Sequence, residues 1–236
     1  MKKVNFDEYS KDYDAIMQNQ HKNFGDIKYY AEYKIKILSN IVKRNNQNLK
    51  ILEYGCGIGR NLPYIASVFR KSSIFGFDIS KKSLEIAKQN NKEISIIESE
   101  EKLMRYNGCF DVIFIAGVYH HIEPSLRNDI TLNIFKLAAD NCDVIVFEHN
   151  PYNPLTRYMV STCEFDNDAV LLSKRELQTI FMQAGFKKNA SAYTLFFPPI
   201  LKRLSFLEKF IKWLPLGGQY YISVKKHIRC ATIFHY

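Results

Sequence analysis

Three glycines at alternate positions, with one carboxylate just before them and a second at the end of the next apolar run, are the residues of this 236-residue chain whose spacing most directly indicates chemistry. Gly55, Gly57 and Gly59 follow an apolar run that ends at Ile51 and Leu52, and Glu53 stands just ahead of them. Glycines are needed where a turn takes positive φ or where a ligand lies against the backbone. Asp78 ends a second apolar run, 19 positions after Gly59 (78 − 59). An acidic residue at about that distance binds ribose hydroxyls in nucleotide-binding folds, so the pattern predicts a site for a nucleoside-containing ligand.

Three histidines form a second set of candidate residues. His120 and His121 follow the apolar run FDVIFI, and His149 follows the run DVIVF. Imidazole has a pKa near neutrality and can accept a proton from a hydroxyl or an amine. The alternative for each histidine is that it is a polar residue with satisfied hydrogen bonds that lines a pocket or holds a loop. The sequence therefore names three candidates for a general base without choosing among them.

All of these residues stand near the carboxyl ends of short apolar runs, and the runs alternate with segments of helical periodicity. This alternation predicts an α/β fold whose strand ends meet at one edge of a sheet. The strand run at 94–97 fits the same scheme. Two later runs, SAYTLFFP at 191–198 and QYYISVKK at 219–226, predict the last two strands.

The E-x-G-x-G-x-G turn and the acidic strand end at Asp78 resemble motif I and the following acidic residue of the class I S-adenosylmethionine-dependent methyltransferases. The resemblance implies a Rossmann-like, doubly wound, mostly parallel sheet of seven strands, with the last strand antiparallel and an N-terminal helical cap. It also implies S-adenosylmethionine as cofactor. Glu53 would repel a pyrophosphate but suits an ammonium group, and the dinucleotide spacing G-x-G-x-x-G is absent, which argues against a nicotinamide-dependent oxidoreductase.

The same resemblance suggests which residues touch the cofactor. Tyr13 would offer its hydroxyl to the cofactor carboxylate, or would simply pack against its neighbours. Ser99 stands where the family commonly has an aspartate that faces adenine, which leaves that contact unassigned. No metal site is predicted. The full set of expected cofactor contacts is Tyr13, Glu53, Gly55, Cys56, Gly57, Gly59, Asp78, Ile79, Ser99, Glu100, Ala116 and Gly117.

The charge and the cysteine content of the chain limit which partners and which cellular compartment are predicted. The chain carries 33 Lys and Arg against 24 Asp and Glu, a net charge of +9. The basic residues are scattered and form no long basic block, so a nucleic-acid partner is not predicted. Two alternatives stay open, an RNA methyltransferase and a non-catalytic S-adenosylmethionine-binding protein. Five cysteines without metal-ligand spacing indicate reduced thiols and a cytoplasmic protein. The sequence contains no run of 18 apolar residues, so no membrane span is predicted, and no signal peptide is expected.

The predicted layout is one methyltransferase domain over 1–227 with a tail at 228–236. Within it, 1–45 forms the helical cap, 150–173 forms a lid or substrate loop, and 199–214 forms an amphipathic helix between the last two strands. The apolar stripe of that helix is flanked by four basic residues and ends at a tryptophan; these are Lys202, Arg203, Lys209, Lys212 and Trp213. The stripe either packs on its own sheet or lies in an anionic membrane interface.

The predicted reaction is in-line transfer of a methyl group to a small-molecule, saccharide or lipid-linked acceptor, with a histidine as candidate base. An interfacial helix at 199–214 would make a lipid or lipid-linked sugar the acceptor, and a buried one would favour a soluble metabolite. Oxygen, nitrogen and carbon acceptors all use this scaffold. The sequence does not fix the oligomeric state.

Overall fold

The structure, a computed structural model, describes residues 4, 7 and 27–227. Tyr13, most of the expected N-terminal cap and the tail at 228–236 lie outside the described residues. Within the described part of the chain, no helix is both long and apolar enough to cross a membrane.

Seven strands form a single mixed sheet in the order β3-β2-β1-β4-β5-β7-β6. The strand β7 runs antiparallel to both of its neighbours, and the pairs among the first five strands are parallel. This confirms the predicted sheet with its antiparallel last strand. The strands are β1 Lys50–Tyr54, β2 Ser73–Phe77, β3 Ser95–Ile97, β4 Phe110–Ala116, β5 Ala138–His149, β6 Lys187–Thr194 and β7 Gln219–Lys225.

Helices connect the strands and cover both faces of the sheet. They are α1 Ile27–Val42, α2 Leu62–Val68, α3 Lys81–Asn90, α4 Glu100–Met104, α5 Arg127–Leu137, α6 Pro154–Ser161, α7 Lys174–Gln183 and α8 Glu208–Ile211. Short 3-10 helices add Tyr119–His121, Pro124–Leu126, Glu164–Asp166 and Pro199–Leu207.

The central strands are apolar because both of their faces are buried. The run from Val112 to Ile115 in β4 is fully buried, as parallel strands covered by helices on both faces require. One face packs under α1, α2 and α3 through side chains such as Leu38 and Ile65. The other packs under α5 and α7 through side chains such as Ile134 and Phe181. The strand order reverses between β1 and β4, which places a crevice at their carboxyl ends.

Several boundaries differ from the sequence prediction. The sixth strand covers 187–194 instead of 191–198, because Leu195 takes a positive φ of 58° and ends the strand. The 150–173 segment holds α6 and a 3-10 turn and is not an open loop.

The 199–214 segment also differs from the single amphipathic helix that was expected. It consists of a 3-10 helix with a kink at Leu201, followed by the short α8. Its buried residue is polar: Glu208 accepts hydrogen bonds from the hydroxyl of Tyr33 and from the backbone N–H of Phe196. The apolar side chains instead face outward, with Ile200 89%, Phe210 63% and Trp213 70% exposed. The segment is therefore held on the domain by polar contacts and presents its apolar side chains to the exterior.

Candidate active site

The glycine turn is fixed to the end of β2 by its backbone. Gly55, Gly57 and Gly59 have φ values of 77°, 53° and 81°, a region that residues with a Cβ rarely adopt. The N–H groups of Gly55 and Cys56 both donate to the carbonyl of Phe77, at 2.7 and 2.9 Å. A Cβ added to Gly55 would lie 2.3 Å from a methyl carbon of Val118. The turn therefore needs glycine both for its conformation and for its close approach to the strand end opposite.

Asp78 closes the second side of this corner. Its carboxylate accepts hydrogen bonds from the N–H of Gly57 at 2.8 Å and of Ser80 at 2.9 Å. Burial raises its pKa, and these backbone hydrogen bonds oppose that rise. The side chain of Asp7, one of the two described residues ahead of α1, accepts a hydrogen bond from Ser80 at 2.6 Å. Asp7 therefore lies at the same corner.

Glu53 lies behind the turn and is 1% exposed. One carboxylate oxygen accepts a hydrogen bond from the side-chain amide of Asn61 at 2.6 Å, while the other oxygen is buried with no hydrogen-bond partner. Burial raises the pKa of Glu53 to about 8, against the opposing charge of Lys34. Burial also lowers the pKa of Lys34, which lines the same cavity. The orphaned oxygen marks a place where a cationic ligand group can be bound.

Glu148, in β5, holds the loop that follows β4. One oxygen accepts the backbone N–H groups of Val118 and Tyr119 at 2.9 and 2.7 Å, and the other lies 2.6 Å from Nδ1 of His120. Burial opposes ionisation, but the charge of His120 holds the pKa of Glu148 below its usual range. The arrangement fixes both the turn at 119–121 and the orientation of the His120 ring.

Two aspartates from the 150–173 segment complete the histidine end of the site. Oδ1 of Asp166 lies 3.4 Å from Nε2 of His120 and 3.4 Å from Nε2 of His121. Oδ1 of Asp168 lies 3.4 Å from Nδ1 of His121. The backbone N–H of Val170 donates to the carbonyl of His120 at 2.8 Å, so the segment is pinned directly onto the histidine turn.

The three histidines have different charge states. Burial would lower the pKa of His120, but the carboxylates of Glu148 and Asp166 raise it to about 10. For His121 and His149, burial and the charge of His120 lower the pKa to about 4. The ring of His149 lies 4.9 Å from that of His120, centroid to centroid. The site thus contains one cationic and two neutral imidazoles at neutral pH.

A single cavity of about 560 Å³ joins the glycine turn to the histidines. It is lined by most of the residues that the sequence predicted, namely Gly55, Cys56, Gly57, Asp78, Ile79, Ala116, Gly117, His120, His121 and His149. Glu53 and Gly59 are not among the residues that line it. Ser99 and Glu100 do not line it: the Ser99 hydroxyl caps α4 by accepting the N–H of Lys102 at 3.2 Å. Tyr13 lies outside the described residues.

The far wall of the cavity is apolar. Side chains from α6 and from the stretch after β6 form it, and they are Leu155, Met159, Val160, Phe196, Phe197 and Ile200. Leu155 and Ile200 line this wall and are also solvent-exposed, with 50% and 89% of their surface accessible. The cavity therefore opens among exposed apolar side chains.

Sequence reasoning did not anticipate Lys34 or Asp166 as site residues. Asp166 is 46 positions after His120 (166 − 120) and lies in a short 3-10 turn with no motif around it. Lys34 lies on a helix whose apolar spacing indicates packing. The helical segment that precedes the first strand was expected to cap the cavity. Its position in the sequence is therefore the feature that could have indicated Lys34 as a site residue.

Comparisons with known proteins agree with this geometry. Residues 51–141 match the sequence profile of a family described as "Methyltransferase domain". An uncharacterized protein of Rickettsia prowazekii (strain Madrid E) is 26% identical over 206 residues, which cover 80% of this chain and 77% of that protein.

Solved structures share the fold at low sequence identity. A SAM-dependent methyltransferase from Archaeoglobus fulgidus has a TM-score of 0.63 at 16% identity, covering 87% of this chain and 97% of that one. Phosphoethanolamine N-methyltransferase 2 of Haemonchus contortus, solved with S-adenosyl-L-methionine, has a TM-score of 0.65 at 15% identity, covering 95% and 60%. Residues 51–141 therefore form a methyltransferase domain by their sequence match, and the seven-stranded sheet has the fold of the solved S-adenosylmethionine-dependent methyltransferases.

Proposed function

We propose that this enzyme methylates an amphipathic, lipid-like acceptor that it meets at an anionic membrane surface. The observation that carries the proposal is the continuity of the cavity. It runs from the glycine turn past the histidines to an apolar wall whose members Leu155 and Ile200 are also exposed. A lipid-like molecule can place its polar end at the histidines and its apolar part along that wall.

The glycine turn, Glu53 and Asp78 fit the cofactor. The unpartnered, buried oxygen of Glu53 suits the ammonium of the methionine moiety, and Asp78 suits the ribose hydroxyls. A Cβ at Gly57 would meet no protein atom within 4 Å, so the turn leaves open space against its backbone. When bound, the cofactor supplies a methyl group already activated on a sulfonium. The protein then has to position the acceptor in line and exclude water.

His149 is the proposed proton acceptor for the nucleophile. His120 has both ring nitrogens beside carboxylates, those of Glu148 and Asp166. His121 lies between Asp166 and Asp168. The ring of His149 borders the cavity, and no residue in the described part of the chain forms a hydrogen bond to it. Its ring nitrogens can therefore face an acceptor.

Substitutions at the two ends of the cavity should change different constants, the cofactor Kd at the glycine turn and kcat at the histidines. Asp78→Ala should weaken cofactor binding by about 1.5–3 kcal/mol, roughly 10- to 150-fold in Kd, which is the scale of a hydrogen bond to a charged group. His149→Ala should leave cofactor Kd within about twofold and lower kcat by about 100-fold, since a base acts in the transition state. Calorimetry and steady-state kinetics on the same preparations measure both. Full kcat in His149→Ala would show that His149 is not the general base. An unchanged cofactor Kd in Asp78→Ala would show that Asp78 does not bind the ribose hydroxyls.

The exposed segment, residues 199–216, is the proposed membrane contact. Phe210 and Trp213 are largely exposed, and Lys209 and Lys212 stand beside them. Exposed apolar and aromatic side chains insert into the headgroup region, while neighbouring lysines attract anionic lipid. A hydrogen bond ties the end of this segment to the N-cap residue of α6, as Asn153 donates from its side chain to the carbonyl of Leu216 at 2.7 Å. Contact with a membrane would therefore occur at the mouth of the cavity.

The protein should sediment with anionic phosphatidylglycerol vesicles and not with neutral phosphatidylcholine vesicles at low salt. Lys209→Glu plus Lys212→Glu should abolish binding, because each lysine near the surface contributes about 1 kcal/mol. Phe210→Ser plus Trp213→Ser should weaken it at unchanged net charge. The matched control is Lys71→Glu plus Lys92→Glu, which changes the net charge equally at exposed positions outside the segment and should keep most of the binding.

Transfer of labelled methyl groups from S-adenosylmethionine to a cell extract, split into organic and aqueous phases, tests the acceptor class. Label in the organic phase is the expected result. Label confined to the aqueous phase, as for the phosphoethanolamine named for the Haemonchus contortus neighbour, would reject the lipid-like acceptor and leave the methyltransferase activity standing. Failure of vesicle binding at low salt would reject the membrane contact.

A further inference from the structure

Two imidazoles and one carboxylate meet at the histidine end of the cavity in the arrangement of metal ligands. His120, His121 and Asp166 each offer one ligand atom, and these atoms lie within 4.8 Å of one another. The same oxygen of Asp166 lies 3.4 Å from Nε2 of His120 and 3.4 Å from Nε2 of His121. Two ligand atoms at about 2.0–2.1 Å from a tetrahedral zinc ion stand roughly 3.3 Å apart, so both separations suit a shared ion.

The other ring nitrogen of each histidine faces a second carboxylate. Nδ1 of His120 lies 2.6 Å from Glu148, and Nδ1 of His121 lies 3.4 Å from Asp168. A metal-binding histidine commonly donates its second N–H to such a group, which fixes the ring and makes the binding nitrogen a stronger ligand. Here both histidines have this support, from two different segments of the chain. An ion pair between His120 and Asp166 alone does not explain the matching arrangement at His121.

We propose that His120, His121 and Asp166 bind one divalent transition-metal ion, which takes the place of the Nε2 proton of His120 and releases that proton to solvent, with Glu148 and Asp168 as positioning residues. Two imidazoles and a carboxylate suit Zn²⁺ or Fe²⁺ and leave at least one coordination position open. Three carboxylates surround the two imidazoles, so the local charge favours a cation. All three ligands line the cavity, and the ring of His149 stands 4.9 Å from that of His120. An ion held by these residues would therefore be within reach of the space where the acceptor is proposed to bind.

The site would give the proposed reaction a second means of activating its nucleophile. An ion that binds an acceptor hydroxyl lowers the pKa of that hydroxyl, so a weak base such as His149 suffices to take its proton. This role rests on the proposed function, whereas metal binding itself does not. The two are tested separately, because the experiment below uses neither cofactor nor acceptor.

The test is the metal content and affinity of the tag-free full chain. After dialysis against Zn²⁺ at low concentration, elemental analysis should find about one zinc per chain, and Co²⁺ should give the visible absorption of a low-symmetry site with nitrogen ligands. Asp166→Asn and His121→Ala should lower the affinity for Zn²⁺ by at least about 100-fold. Asp168→Asn should lower it by about 10- to 100-fold, the usual effect of removing a positioning partner.

Glu164→Gln is the matched control, because Glu164 is exposed in the same 3-10 turn as Asp166 and should keep the wild-type affinity for Zn²⁺. Thermal melts identify any variant that fails to fold, and His121→Gln then replaces it. Less than about 0.2 zinc per wild-type chain, or equal affinity in wild type and Asp166→Asn, would overturn the proposal. Such a result would show that the cluster is an ion-pair network that holds the 150–173 segment. It would leave methyl transfer to a lipid-like acceptor untouched.

Discussion

Glu53→Gln should make the cofactor-free protein more stable above neutral pH while weakening its binding of S-adenosylmethionine. Glu53 is almost fully buried, and its pKa is raised to about 8 by that burial. The groups that face it are Asn61, which donates a hydrogen bond, Lys34, whose charge opposes the rise, and Asp78, whose charge adds to it. A carboxylate kept in this place without a partner for its second oxygen destabilises the free protein.

The sign of the pH dependence follows from proton binding. Between the unfolded pKa of about 4.5 and the folded pKa of about 8, the folded state binds more protons than the unfolded state. The free energy of unfolding therefore falls as pH rises through this window. Glutamine is neutral at every pH and removes the effect. The gain in unfolding free energy for Glu53→Gln over wild type should grow from about 1 kcal/mol at about pH 5 to about 4 kcal/mol at about pH 8.

Cofactor binding should change in the opposite direction. The ammonium of the cofactor stabilises the charged carboxylate, so wild type should release a proton on binding and its Kd should fall as pH rises from about 6 towards 7.5. Glu53→Gln should raise Kd by about 10- to 100-fold, the scale of a lost hydrogen bond between charged groups, and should flatten this pH dependence. Calorimetry in buffers of different ionisation enthalpy measures both the affinity and the proton release.

Glu85→Gln is the control for this pair of effects, since Glu85 is exposed on α3 and should change neither stability nor Kd. A Glu53→Gln protein that is less stable than wild type at about pH 8 would show that the carboxylate has a partner in the free protein. Tight, pH-independent binding by the variant would show that the ammonium lies elsewhere.

The glycine turn and the central strands were predictable because local physics determines them. The apolar runs around Leu52, Phe77 and Ile113 are buried on both faces, so their composition is that of buried parallel strands. The glycines at 55, 57 and 59 all take positive φ, a requirement that few other residues satisfy.

Features that depend on tertiary contacts were harder to predict. Phe196 and Phe197 have the composition of a strand, yet they leave the sheet at Leu195 and line the cavity. Ser99 occupies a strand end in the family pattern, but here its hydroxyl serves as a helix cap. A serine before Glu100 and Glu101 is a recognisable N-cap signal, and it competes with the family-based interpretation.

The meeting of His120 with Asp166 could not be predicted, because it depends on how the 150–173 segment folds back over the end of the sheet. Periodicity carries no information about contacts between two residues that are 46 positions apart in the sequence. The exposed apolar side chains at 200–213 show the same limit. Their helical spacing is compatible with packing on the sheet, and it is the buried Glu208 that fixes the outward orientation.

Glu148→Ala should have the largest effect on folding of any single change at the site. Glu148 is 1% exposed and accepts hydrogen bonds from two backbone N–H groups, those of Val118 and Tyr119, while its second oxygen faces His120. The substitution leaves these buried donors and the His120 charge without a partner. Breaking a buried pair in this way costs about 3–5 kcal/mol, a large share of the 5–15 kcal/mol typical of a folded domain. Urea unfolding should show this loss as a lower midpoint at unchanged m-value.

A double-mutant cycle with His120→Leu separates the two kinds of contact that Glu148 makes. If the His120 contact carries most of the stabilisation, Glu148→Ala should cost much less in the His120→Leu background than in wild type, with a coupling of about 1–3 kcal/mol. The part of the loss that persists belongs to the two backbone N–H groups. Glu93→Ala, at an exposed position, is the control and should stay within about 0.5 kcal/mol of wild type. A Glu148→Ala protein as stable as that control would show that neither the backbone contacts nor the imidazole contributes to holding the histidine turn.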